Sequence, residues 1–170
     1  LPGTDGKAKM SKSLGNCIYL ADTPEDVKKK VMSMYTDPDH IRVEDPGKIE
    51  GNTVFTYLDA FCTDEDFPEF LPDYSCLDEL KEHYKKGGLG DVKVKKFLLN
   101  VINKQLEPIR VRRKEYEQNI PLVYDILKKG TQEAYQVAQQ TLDEVKAAMK
   151  INYFDDQELI KGQSEKYKEK

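Results

Sequence analysis

The stretch running from Asp91 to about residue 117 constrains this chain most. Val94, Phe97, Leu98, Val101, Ile102, Leu106 and Ile109 recur at three- and four-residue spacing, so one apolar stripe follows one side of a long helix. A helix of this kind is held mainly by what its stripe packs against, so the rest of the chain has to supply partners. Asp91 is expected to cap it, and Pro108, which lacks an amide hydrogen, to kink or split it.

Upstream, Thr23 as N-cap, Pro24 at the first position and Asp26 three residues after the cap announce a helix ended by Asp37-Pro38, with Val27, Val31, Met34 and Tyr35 on its apolar face. Asn52 opens another through Val54, Phe55, Leu58 and Phe61. Ser75 with Asp78 reads as a capping box for a helix through Leu77, Leu80 and Tyr84 that stops at Gly87-Gly88. Residues 37–52 and the acidic DEDFPEFLPD are too punctuated for regular structure and read as loops.

Beyond residue 117, Asn119 and Gly130 bracket a short helix carrying Leu122, Val123, Ile126 and Leu127. Thr131 starts another, with Ala134, Ala138, Leu142, Val145 and Met149 in register. DDQELIKGQSEKYKEK is polar and expected to fray. The fold class is therefore all-α, a helical bundle preceded by a glycine-rich, mobile loop. The division is 1–22 (loop), 23–154 (helical domain) and 155–170 (polar tail).

Composition sets the outer limits. Charged residues at 34% against hydrophobic residues at 38%, with no Trp, suit narrow apolar stripes rather than a thick β-rich core. No run approaches the roughly 18 apolar residues of a membrane span, and no targeting segment is evident. Cys17, Cys62 and Cys76 are odd in number and widely spaced, and only His40 and His83 could join them, so no metal or disulfide framework is expected. They read as small hydrophobes, and reduced thiols suit the cytoplasm.

A net charge of −4 does not favour nucleic acid overall, yet Lys93, Lys95, Lys96, Lys104, Arg110, Arg112, Arg113 and Lys114 face one acid, Glu107, between residues 93 and 114. Two readings stand for these cations, a solvated helix face with long apolar stems and contact with RNA phosphates. Tyr116 and Tyr124 are the aromatic candidates for stacking on bases, although core positions suit them better.

The opening segment, GTDGKAKMSKSLGN, has no periodicity and is bracketed by glycines. Lys9 and Lys12, with Ser11 and Ser13 between and after them, can converge on phosphate oxygens together with free backbone amides. A Lys-x-x-Lys pair alone also suits an ordinary surface loop.

The longer KMSKSLGN resembles the nucleotide-clamping loop of class I aminoacyl-tRNA synthetases, and within them the tryptophanyl-tRNA synthetase family. That resemblance continues through residues 29–61, which include TDPDHIRVEDPG, then through residues 87–113, which include LEPIRVRR, and weakly to about residue 154. It implies a C-terminal part of such an enzyme, with the Rossmann catalytic domain and its HIGH-like motif outside this sequence, and helices of the anticodon-binding type.

By the same resemblance, Lys9 and Lys12 contact the triphosphate and carry the catalytic role, while Met10, Ser11 and Ser13 shape the loop. Lys93, Lys96, Arg110, Arg112 and Arg113 become candidates for tRNA(Trp) contact. ATP with Mg2+, tryptophan and a homodimer belong to the full enzyme, and the isolated chain is expected to be inactive. No DNA or membrane partner is expected. Some family members carry an iron–sulfur cluster near the segment that here reads HYKKGGLGDVKVKK, and the absence of cysteine there argues against one. A stand-alone helical RNA-binding or adaptor module is the alternative. If the first helix belongs against a missing domain, Val27, Val31 and Met34 would form an exposed patch.

Overall fold

The computed structural model describes residues 1–168. Among them it is helical, with an isolated antiparallel bridge between Pro2 and Lys9 in place of any sheet. Two compact units divide the chain, Leu1–Glu115 and a second beginning at Tyr116.

The first unit holds α1 (Pro24–Met32), α2 (Thr53–Phe61), α3 (Asp66–Phe70), α4 (Leu77–Lys86) and the body of α5 (Asp91–Glu117). Local chemistry sets most of their ends. The Thr23 hydroxyl accepts from the Asp26 amide at 3.2 Å and donates to the Asp26 carboxylate at 2.8 Å, which fixes the start of α1. The Asn52 side chain accepts from the Val54 amide at 3.1 Å and opens α2, while Gly87 at φ 85° stops α4.

The capping box expected at Ser75 does not form. Cys76 stands at the N-cap of α4, and Glu79 rather than Asp78 reaches back, accepting from the Ser75 amide at 2.8 Å. The expected acidic loop contains the short α3, because the Asp66 carboxylate accepts from both the amide and the hydroxyl of Thr63, at 2.9 and 3.1 Å. Pro68 is tolerated there since first-turn amides have no partner within a helix.

Core and helix faces agree with the periodicity. Val27, Val31 and Met34 join Val54, Phe55, Leu58, Phe67, Leu80, Tyr84, Phe97, Leu98 and Val101 in one cluster. The exposed patch expected at Val27, Val31 and Met34 is thus corrected, since partners later in the same chain cover it, and Tyr35 is the exposed member of that set. Ring contacts knit the layers, with Phe55 and Tyr84 centroids 4.8 Å apart between α2 and α4, and Phe67 and Phe97 4.7 Å apart between α3 and α5. Burying one such ring contributes about 1.5–3 kcal/mol. Pro108 does not split α5, whose register is held on both sides of it by buried Leu106 and Arg110.

The second unit contains α6 (Ile120–Ala148) and α7 (Gln157–Lys166). Asn119 caps α6 as expected, accepting from the Leu122 amide at 3.2 Å. Gly130 does not end it. Its backbone stays out of the positive-φ region, the space where a Cβ would project is open, and a single glycine costs a long helix only about 1 kcal/mol. The polar tail forms α7, capped by Asp156, which accepts from the Leu159 amide at 2.9 Å. Residues 169 and 170 of that tail lie outside the described residues. Neither helix has a buried residue, and Tyr116 and Tyr124 are exposed rather than in a core.

The three cysteines are free. Burial, reinforced by Asp66, Asp64 and Asp59, pushes the Cys62 thiol up to about 12 and makes it unreactive near neutrality. Among the described residues no helix is long and apolar enough to cross a membrane, and no group of three or more His, Cys, Asp and Glu side chains could hold a metal ion.

Candidate functional site

The lysine-bearing loop rests on a fastened base. The Gly3 amide donates to Ala8 O at 2.7 Å and the Thr4 amide to Asn16 O at 2.8 Å, closing the segment on itself. Asn16, which is buried, ties the two sides together. Its side-chain oxygen accepts from the Ser11 amide at 2.8 Å, and its amide nitrogen donates to the Asp5 carboxylate at 3.2 and 3.3 Å. Desolvation pushes the Asp5 carboxyl up, but the amides of Lys7 and Ala8 and the Asn16 side chain outweigh it and hold the group below its usual range.

Three contacts join this base to the helices. The Tyr57 hydroxyl donates to Pro2 O at 2.8 Å, the Tyr35 amide donates to Thr4 O at 3.0 Å, and Gly6 at φ 67° fits between Tyr35 and Thr53. A Cβ on Gly6 would stand 2.7 Å from the Thr53 hydroxyl, so the turn requires glycine there.

Above this base Lys9, Met10, Lys12 and Ser13 are exposed, Ser11 is half-buried, and the Ser11 and Ser13 hydroxyls lie 2.8 Å apart. The structure thus brings the five loop residues together in one segment, with both ammonium groups presented to solvent. Sequence reading passed over Asp5 and Asn16, which shape the loop. The signal was available, since an Asp or Asn beside glycine in a turn usually bonds nearby backbone.

The basic stretch on α5 separates into two sets. Arg110 is buried, with Nε donating to Asp22 O at 2.8 Å, one terminal nitrogen donating to Asn103 Oδ1 at 2.8 Å and the other to the Glu107 carboxylate at 3.3 Å. Its guanidinium joins α5 to the residue before α1's cap instead of facing outward. Lys95 donates to Met32 O and Met34 O at 3.1 and 2.8 Å, and burial lowers its ammonium pKa.

Lys104 pairs with Asp66 at 2.8 Å and Glu69 at 3.1 Å, while Lys93 pairs with Asp73 at 2.8 Å and lies over the Tyr74 ring. Lys96, Arg112, Arg113 and Lys114 are exposed. Among the described residues, Lys96, Arg112 and Lys114 make no ion pair. An open groove of about 850 Å³ runs beside this helix, lined by Phe70, Asn100, Lys104, Pro108 and Arg112 among others.

The family described as tRNA synthetases class I (W and Y) matches residues 1–107. The tryptophan–tRNA ligase of Clostridium longisporum is 60% identical over 155 residues, and that of Lactococcus lactis 62% over 154. Each alignment covers 91% of this chain and 43% of the relative, so the chain spans less than half the length of the curated relatives it matches. Among solved structures, the tryptophanyl-tRNA synthetase of Campylobacter jejuni complexed with ADP and tryptophane aligns with 28% identity and a TM-score of 0.68, over 86% of this chain and 42% of that one.

Proposed function

The chain belongs to the class I tRNA synthetases of the W and Y type, and from that premise we propose that it is the C-terminal part of a tryptophan–tRNA ligase, contributing the ATP-clamping loop and helices that bind tRNA(Trp). The observation that carries this reading is the exposed Lys9 and Lys12 on a loop whose base is fastened through Asn16 and Asp5. A fastened base fixes where the ammonium groups are presented, and exposure leaves them available to an incoming anion.

In the proposed reaction a tryptophan carboxylate oxygen attacks the α-phosphorus of ATP. A phosphorus–oxygen bond forms to give the adenylate while the bond to the β-phosphate oxygen breaks and pyrophosphate leaves. Charge grows on that leaving group in the transition state, and Lys12 and Lys9 stabilise it preferentially. In the second step a ribose hydroxyl of the tRNA displaces AMP. Magnesium enters with the triphosphate as part of the substrate. The loop offers ammonium and hydroxyl groups, and its carboxylate, Asp5, is already engaged by Asn16, so these residues do not fit a magnesium ligand set.

The same reading assigns the catalytic Rossmann part, the tryptophan pocket and the homodimer contact to the full-length enzyme. It also identifies the α5 helix as the anticodon-binding type, with Lys96 and Arg112, exposed and in no ion pair with the described residues, as the phosphate contacts among the five basic candidates, and Lys114 beside them. The test is Lys12→Ala in the full-length enzyme. The expected outcome is an activation rate lower by about a hundredfold or more, with tryptophan affinity within about twofold of wild type. Equal losses in rate and affinity would contradict a transition-state role. The isolated chain is expected to support no tryptophan-dependent pyrophosphate exchange.

A further inference from the structure

We infer that Asp91 is a positioning residue for the lysine-bearing loop, an inference that rests on reading that loop as a phosphate clamp. Asp91 is the first residue of α5, where its carboxylate was expected to serve as a cap. It instead reaches across the first unit.

Oδ2 accepts from the Thr36 hydroxyl at 3.0 Å, and Oδ1 accepts from the Tyr84 hydroxyl at 2.6 Å and lies 3.2 Å from His40 Nδ1. Thr36 directly follows Tyr35, whose amide holds Thr4 O and whose ring abuts Gly6. Tyr84 in turn accepts at its hydroxyl from the Asn52 side-chain amide at 3.3 Å. Asn52 caps α2, and the first residue of that helix, Thr53, forms the other wall around Gly6.

Two routes therefore leave one carboxylate and meet at the same glycine of the loop. The first passes through Thr36 and Tyr35, the second through Tyr84, Asn52 and Thr53. Gly6 sits in a slot that would not accept a Cβ, so a shift of either wall moves the turn carrying Lys7 and Lys9. Neither route was visible in sequence, since Asp91 is 55 residues from Thr36 and Tyr84 is 32 from Asn52. A carboxylate accepting from Thr36 in the connection between α1 and α2 and from Tyr84 on α4 fixes their spacing in a way that an exposed N-cap could not.

The test is titration of the 170-residue chain with inorganic tripolyphosphate, with thermal midpoints measured on the same samples. Asp91→Ala is expected to weaken tripolyphosphate binding about tenfold, and Thr36→Val, which cuts only the first route, by about threefold. Asp91→Asn keeps the shape and an acceptor and is expected to bind within about twofold of wild type. Ile102→Ala, a core change on α5 remote from both routes, is expected to lower the midpoint without altering binding.

Wild-type affinity in Asp91→Ala and Thr36→Val overturns the inference, as does a loss in Ile102→Ala that tracks its midpoint. If Asp91→Ala fails to fold, Thr36→Val decides alone. A wild-type chain that does not bind tripolyphosphate defeats the clamp reading, and the inference with it, which differs from a clamp that binds regardless of Asp91.

Discussion

Lys9 and Lys12 in the opening loop and Lys95, Lys104 and Arg110 on α5 carry the same charge to opposite ends. The loop lysines stand exposed on a segment whose neutral and acidic members, Asn16 and Asp5, do the fastening. On α5 the cations themselves do the fastening: Arg110 to Asp22 and Asn103, Lys104 to Asp66 and Glu69, Lys95 to the end of α1. A count of basic residues therefore overstates what this helix can offer a phosphate backbone. What distinguishes the two regions is whether acceptors from the same chain already surround the charge.

The sharpest way to break this comparison is to delete charge in each region and read both binding and stability. Lys9→Ala with Lys12→Ala is expected to weaken tripolyphosphate binding about a hundredfold or more, since each removes a charge-assisted contact. The thermal midpoint should not move, and a lower midpoint would mean the loop lysines also hold the fold.

Arg110→Ala should do the reverse. It leaves Asp22 O and the Asn103 side chain without their donor and is expected to cost about 2–3 kcal/mol in urea unfolding, with tripolyphosphate affinity unchanged.

A smaller effect is expected at the ion pair between α3 and α5. Burial pushes the Asp66 carboxyl up, but the Lys104 ammonium and both donors of Thr63 outweigh it and leave the group below its usual 3.8. Because its folded pKa is depressed, the stability it contributes is fully present above about pH 4 and is lost as acidification carries the pH through the lower folded value. Lys104→Met is expected to lower the midpoint at neutral pH and flatten that acid limb. The smallest effect belongs to Lys96→Ala, whose midpoint should match wild type within error, because nothing in the chain depends on that ammonium.

The elements that were legible in the sequence are those whose causes are local. Thr23-Pro24 with Asp26, Asn52 and Gly87 each act within four residues of the ends they set, and the apolar spacing on α5 predicted its buried face. What escaped depended on distance along the chain. Asp91 reads as a cap until Thr36, His40 and Tyr84 are brought to it, and Arg110 reads as surface charge until Asp22, 88 residues earlier, is placed under it. Gly130 misled for a different reason, since glycine permits a helix to end without requiring it. In the loop, the lysines stood out by pattern, whereas the Asn16 and Asp5 that shape it are common turn residues.

The measurement that tests the central claim most directly is the salt dependence of tryptophan tRNA binding, for the wild-type chain and for the triple variant Lys96→Ala, Arg112→Ala, Lys114→Ala. If the fastened cations are unavailable and these three carry the contact, the slope of log affinity against log salt should be about −2 to −3 and fall close to zero in the variant. A slope of about −6 to −7 that falls only to about −4 in the variant would mean that the whole basic stretch faces the RNA and that the division between fastened and available cations is wrong.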